Sequence, residues 1–111
     1  MELRDTTKLY GALADETRIR ILFALSRSQL CVQDLTNILG IPQSTVSRHL
    51  NILGNVDLVE RRRQKTRVFY SLAAPKGPVH QKIIECVNKI FPGFDIIKED
   101  KKRILAYRGT E

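Results

Sequence analysis

Residues 40–55 read GIPQSTVSRHLNILGN, and the reading of this stretch decides the fold. Val46, Leu50 and Leu53 recur at helical spacing, so residues 43–55 form a helix with that stripe facing inward. Gly40 sits where a preceding helix ends, because glycine adopts a left-handed backbone without a steric penalty. Pro42 disfavours helix at Ile41, which makes the intervening segment a tight turn. With the stripe inward, Ser44, Arg48 and Asn51 point away from the core, Ser47 lies on a flank, and Gln43 stands at the exposed N-terminal end. The outer face of a surface helix usually carries Glu and Lys, which favour helix. This one carries hydroxyls, amides and an arginine, with no carboxylate. Such side chains suit base edges in a major groove, where Arg pairs with guanine and Gln with adenine, and a helix N-terminus attracts phosphate.

The same periodicity works outward from this helix. Upstream, Val32, Leu35, Ile38 and Leu39 form the buried stripe of a shorter helix over residues 31–40, whose N-cap falls on Cys31. A capping oxygen from Ser, Thr, Asp or Asn is the usual choice there, so the cysteine calls for a reason. Asp15 caps an earlier helix with Ile19, Leu22, Phe23 and Ser26 on one face and Leu25 flanking, and residues 6–13 form a short first helix. Downstream, residues 57–72 read DLVERRRQKTRVFYSL. Strand formers at Leu58, Val59 and Val68–Tyr70 flank a charged stretch, which predicts a β-hairpin with its tip at residues 63–66 and no glycine to name the turn. Pro75 and Pro78 bracket a break. Residues 79–91 then form a helix whose apolar Val79, Ile83, Ile84, Val87, Ile90 and Phe91 are broad enough to need a partner, and Pro92-Gly93 ends it. Residues 94–111 are open between two short strands, a helix and a partly ordered tail. The chain thus divides into a domain over residues 1–93 and a C-terminal extension over residues 94–111.

Bulk properties narrow the function. A chain of 111 residues with 42% hydrophobic content is one domain with ample material for a core. The net charge of +7 is unevenly placed: residues 1–40 are balanced, whereas residues 41–72 carry six Lys/Arg against two Asp/Glu. A basic middle segment is the footprint of a polyanion partner. Arg61, Arg62, Arg63, Lys65 and Arg67 in the hairpin then act as a wing that grips phosphates, while the neighbouring helix reads sequence. No apolar run approaches the ~18 residues that span a membrane and the N-terminus lacks a signal-peptide core, so the expected location is cytoplasmic, with no membrane partner. In that compartment two cysteines 55 positions apart rest as thiols.

The stretches LADETRIRILFAL, LCVQDL, PQSTVSRHLNIL and DLVERRRQKTRVFYSL, in this order and spacing, resemble the ArsR/SmtB (arsenic-repressor) family of winged helix-turn-helix regulators over roughly residues 9–72. The resemblance implies a mainly α fold with a small β-hairpin, homodimeric through its first and last helices. It also implies a non-enzymatic repressor of transcription that binds a double-stranded DNA operator and leaves it when an inducer arrives. Carried over, the DNA-binding positions are Gln43, Ser44, Thr45, Ser47, Arg48 and His49, with the wing at residues 61–67. The apolar stripe of residues 79–91 then meets the same helix of a second subunit. DNA binding needs no cofactor, and As(III) or another soft metal ion is a candidate inducer.

The cysteines are where this chain departs from the family. Arsenic-sensing members read Cys-Val-Cys-Asp-Leu in the third helix, whereas this chain reads Cys31-Val32-Gln33-Asp34-Leu35 and keeps one thiol. The second family site, on the last helix, needs paired Asp, His and Glu ligands; His80, read as an exposed first-turn residue, and Glu85 do not supply them. Cys31 and Cys86 remain as candidate sensing residues. At a helix N-terminus Cys31 is expected to have a depressed pKa. A Cys31–Cys86 pair, within or between subunits, could bridge on oxidation or share a soft ion, which widens the candidate inducers to oxidants and reactive sulfur species. Against this stands the plainer reading, with Cys31 replacing a capping serine and Cys86 serving as a small hydrophobe. Two rival functions also stand for comparison. An enzyme with Cys31 as nucleophile and His49 or His80 as base has no visible oxyanion loop. A winged-helix protein-interaction module has no need of five basic residues in its hairpin.

Overall fold

The computed structural model describes residues 1–109. Its elements run α1 (Leu3–Leu13), α2 (Glu16–Arg27), α3 (Val32–Leu39), α4 (Gln43–Asn55), β1 (Val59–Gln64), β2 (Arg67–Leu72), α5 (Pro78–Lys89), a 3-10 turn (Phe91–Gly93) and α6 (Asp95–Gly109). Helices α3 and α4 make the helix-turn-helix and the β1–β2 hairpin makes the wing, so the winged-helix architecture expected from the sequence is present.

Helix α2 is the centre of the molecule. Ile21 to Leu25 are all buried, not only the predicted face, because α1, α3, α4, α5, α6 and β2 surround it. A helix buried on every side loses amphipathic periodicity. Asp15 caps it as expected, accepting the Arg18 N–H at 3.1 Å. Helix α1 starts at Leu3, earlier than predicted, because the Asp5 carboxylate accepts the Glu2 N–H at 3.2 Å and closes the first turn.

The turn between α3 and α4 follows its glycine and proline. Gly40 adopts φ 68°, and the Pro42 carbonyl accepts from Thr45 and Val46 to start α4. Val46, Leu50 and Leu53 are buried as predicted. In the wing, pairing runs from Val59↔Leu72 to Gln64↔Arg67, so the strands extend further into the charged stretch than predicted and turn at Lys65, whose φ is 57°. A further pair of hydrogen bonds joins Leu30 to Tyr70, at 3.0 and 2.8 Å, and ties the wing to the α2–α3 junction.

Of the segment left open, Asp95–Gly109 form helix α6. Ile97 and Ile104 of α6 enter the common core, and Asp100 between them is 0% exposed. Its carboxylate takes Arg20 Nε at 2.9 Å and Nη2 at 3.0 Å, and Arg103 Nη1 at 3.1 Å. Arg20 Nη2 also donates to the Leu39 carbonyl at 3.1 Å, the last residue before the Gly40 turn. Near its other end α6 places the Tyr107 hydroxyl on the Asp34 carboxylate of α3. Helix α3 is thus bonded to α6 directly at its N-terminal end and, through Arg20 of α2, indirectly at its C-terminal end. Residues 110 and 111 of the extension lie outside the described residues.

Helix α5 ends at Lys89, two residues before the predicted end. Within it Ile83 and Val87 pack in the core of the same chain and Val79 and Ile84 are partly covered. Just beyond it Ile90 is exposed and Phe91 of the 3-10 turn is partly covered. The stripe expected to need a second subunit is therefore partly satisfied within one. No helix among the described residues is long and apolar enough to cross a membrane.

Candidate nucleic-acid interface

Helix α4 emerges from the turn with Gln43, Ser44, Arg48 and Asn51 exposed and Thr45 and Ser47 half-buried on its flanks. The polar residues singled out from the sequence therefore share an accessible face, with one exception. His49 is only 4% exposed, so it reads no base as placed here; its ring faces inward and its Nδ1 lies 3.1 Å from Arg18 Nη1. Burial holds its pKa below the usual histidine range, with Arg48 and Arg18 adding to the effect and Asp15 opposing it.

Arg61, Arg62, Arg63, Lys65 and Arg67 are all exposed on the wing. The register puts Arg61 opposite Tyr70 and Arg63 opposite Val68 on one face of the ribbon; Arg62 and Arg67 lie on the other. Among the described residues none of the five forms an ion pair. Between the wing and the C-terminal half of α4 runs a groove lined by Asn51, Asn55, Glu60, Arg61 and Tyr70. A narrow cationic ribbon beside a polar helix tip can hold a duplex backbone and present the tip to a groove.

The thiol region differs from its expectation. Cys31 does cap α3, but as half of a capping box: its sulfur accepts the Asp34 N–H, and its own N–H donates to Asp34 Oδ2 at 2.9 Å. The sulfur thus takes the place of a capping oxygen, and the Asp34 carboxylate accepts the Cys31 N–H in return. Cys31 is 8% exposed, and burial, reinforced by the neighbouring Asp34 carboxylate, pushes its pKa up rather than down. The helix N-terminus does not overcome that desolvation. For Asp34 burial also disfavours the charge, but hydrogen bonds from Tyr107 and Cys31 outweigh it and hold the carboxyl below its usual range. Cys86 is half-buried in α5, and both thiols are free.

His80 also departs from its reading. It is 2% exposed, its Nδ1 accepts the Lys76 N–H at 3.1 Å, its Nε2 has no partner among the described residues, and burial lowers its pKa. Among the described residues no group of three or more His, Cys, Asp and Glu gathers as metal ligands.

Residues 15–61 match the family model for the bacterial regulatory proteins of the arsR family. The chain is also 38% identical over 71 residues to the arsenical resistance operon repressor of Bacillus subtilis, covering 63% of this chain and 68% of that protein. The chain belongs to the ArsR family. Another ArsR-type relative, a homolog of the cadmium resistance transcriptional regulatory protein CadC from Staphylococcus aureus, is 39% identical over 69 residues. That match takes in 61% of this chain and 57% of the relative, so the chain spans little more than half of its length. Among solved structures, HlyU from Vibrio cholerae superposes with a TM-score of 0.70 at 31% identity, covering 82% of this chain and 98% of that one. The ArsR match contains α2, α3, α4 and the start of β1.

Proposed function

We propose that this ArsR-family chain is a homodimeric, sequence-specific DNA-binding repressor released from its operator by a thiol-directed inducer. One observation carries the DNA-binding part: the exposed, carboxylate-free tip of α4 stands beside five wing cations that pair with nothing among the described residues. Gln43, Ser44 and Arg48, with Thr45 and Ser47 at the margin, face the bases, and the wing takes the phosphates. Leu3 and Tyr10 of α1 and Ile90, the residue that follows α5, are exposed apolar side chains, which supports pairing of those helices with a second copy. Such a dimer reads two half-sites about one helical turn, ~34 Å, apart. The relatives carry the names of regulators of transcription and resistance, which favours this reading over an enzyme with a cysteine nucleophile.

The inducer part rests on Cys31, with Cys86 as the second candidate thiol. An arsenite, a soft metal ion, an oxidant or a reactive sulfur species that engages the Cys31 sulfur competes with its capping bond to the Asp34 N–H. The adjacent residue, Leu30, is paired to Tyr70 of the wing, so displacement of the cap is delivered to a DNA-gripping element. The test is binding of labelled duplexes across ionic strength, with release measured on adding arsenite, cadmium, peroxide or polysulfide. Affinity that falls steeply with salt, and release abolished in Cys31→Ser while DNA binding persists, are the expected results. Binding insensitive to salt would overturn the DNA reading, and undiminished release of Cys31→Ser by every agent would remove Cys31 as the sensor.

A further inference from the structure

Arg18 joins three parts of the molecule through one guanidinium. Its Nε donates to the Ala12 carbonyl at 2.6 Å and its Nη2 to the Gly11 carbonyl at 3.4 Å, both at the C-terminal end of α1. Its Nη1 lies 3.1 Å from His49 Nδ1, midway along α4. Its own backbone N–H is anchored on Asp15, so the side chain springs from a fixed point. Arginine has donors and no acceptor, so the imidazole nitrogen must accept. His49 is then neutral, with its proton on Nε2.

We infer that Arg18 and His49 are positioning residues that set the tilt of the DNA-reading helix α4 against α1. The inference rests on the DNA-binding dimer proposed above. There α1 lies at the contact between subunits, so the Arg18 link fixes where each α4 sits relative to the two-fold axis. Symmetry copies any change of tilt into both subunits, and the separation of the two reading helices changes accordingly. Binding to matched half-sites requires one separation, whereas phosphate contacts to random DNA tolerate a range. Loss of the link therefore costs selectivity before it costs affinity for DNA in general.

The link also depends on pH. A proton on Nδ1 would set N–H against N–H and abolish the bond. The charged groups facing His49 are Asp15, which favours the imidazolium, and Arg18 and Arg48, which oppose it. Acidification releases α4 from α1.

The test uses the full chain, a duplex that the wild type selects from a randomised library, derivatives with base pairs inserted between half-sites, and a random duplex. In His49→Leu, affinity for the selected duplex is expected to fall about tenfold or more, the scale of a hydrogen bond to a charged group. Affinity for the random duplex is expected to stay within about twofold, since its phosphate contacts are untouched. Inserted base pairs should be tolerated better. His49→Asn, whose Oδ1 falls where Nδ1 does and can accept from Arg18, should recover most of the selectivity. Lowering pH from about 7.5 to about 4.5, well below the ordinary histidine value because burial lowers that of His49, should weaken the wild type on the selected duplex more than His49→Leu. Equal losses on both duplexes, an unchanged spacing preference, or the same pH slope in His49→Leu would overturn the inference. So would imidazole nitrogen shifts in the wild type that place the proton on Nδ1, a measurement that needs no variant to fold. A wild type that selects no sequence sinks the DNA reading itself; one that selects while the variants keep its selectivity sinks only this link.

Discussion

Asp100→Asn tests whether α6 is part of the folded unit or merely lies against it. The carboxylate is 0% exposed and both oxygens are used, by Arg20 through Nε and Nη2 and by Arg103 through Nη1. The amide has the same shape but no charge, and it turns one acceptor toward a guanidinium as a donor. Arg20, with a side chain only 15% exposed, keeps one bond to the amide oxygen and one to the Leu39 carbonyl but loses its counter-charge. Removing one member of a buried ion pair costs about 3–5 kcal/mol. Arg20 retains some access to water and two hydrogen bonds, which places this case near the lower end, about 3 kcal/mol. Domains of this size have about 5–15 kcal/mol in total, so the loss is a large fraction. At roughly 4 °C per kcal/mol, the midpoint of thermal unfolding should fall by about 12 °C. Urea unfolding followed by far-UV circular dichroism, at one fixed protein concentration, measures the loss directly. Arg103→Ala is the contrast: it touches the same carboxylate from a side chain 50% exposed and should cost less than about 1 kcal/mol. A loss below about 1 kcal/mol for Asp100→Asn, or equal losses for the two variants, would refute the argument that the Arg20 pair anchors α6.

The other predictions concern DNA and pH. Arg48→Ala should weaken binding to a selected duplex by about 1–3 kcal/mol and relax its base preference; equal weakening on random DNA, seen by titration, would count against base reading. Arg62→Ala should weaken both duplexes alike and reduce the log–log salt slope by about 0.9, and an unchanged slope would show that Arg62 neutralises no phosphate. His49 and His80 both have pKa values lowered by burial, so the unfolded chain takes up protons first as pH falls below its own value of 6.5. Their contribution to stability is complete above that pH and is lost as pH drops through the lowered folded values. Urea midpoints that do not fall between pH 7 and the acid side of 6.5 would contradict the buried, neutral placement of both rings.

Much of the geometry of the candidate face was legible because it depends on local spacing. Val46, Leu50 and Leu53 orient α4 whatever surrounds it, and their orientation exposes Gln43, Ser44, Arg48 and Asn51. His49 was misread although its spacing gave the signal: residues 46, 49, 50 and 53 form one helical stripe. Its polar ring suggested the outside. His80 repeats the lesson, since it shares a face with Ile83 and Val87 and all three are buried. In α6 the inner stripe is Ile97, Asp100, Ile104 and Tyr107, and the carboxylate interrupts the apolar pattern that would have marked a helix. For Cys31 the cap position was correct and the direction of the pKa shift was not, because desolvation is set by what packs over a residue.

By itself the sequence determined the helices of the helix-turn-helix, the turn between them, the hairpin, and the placing of polar and cationic side chains at one tip. These follow from steric preferences and periodicities within a few residues. The tertiary structure decided which charged and polar groups go inside: Arg20 with Asp100, Arg18 with His49, and Asp34 with Tyr107. A buried charge or polar group survives only where a distant partner meets it at hydrogen-bonding range, and no local pattern records that meeting.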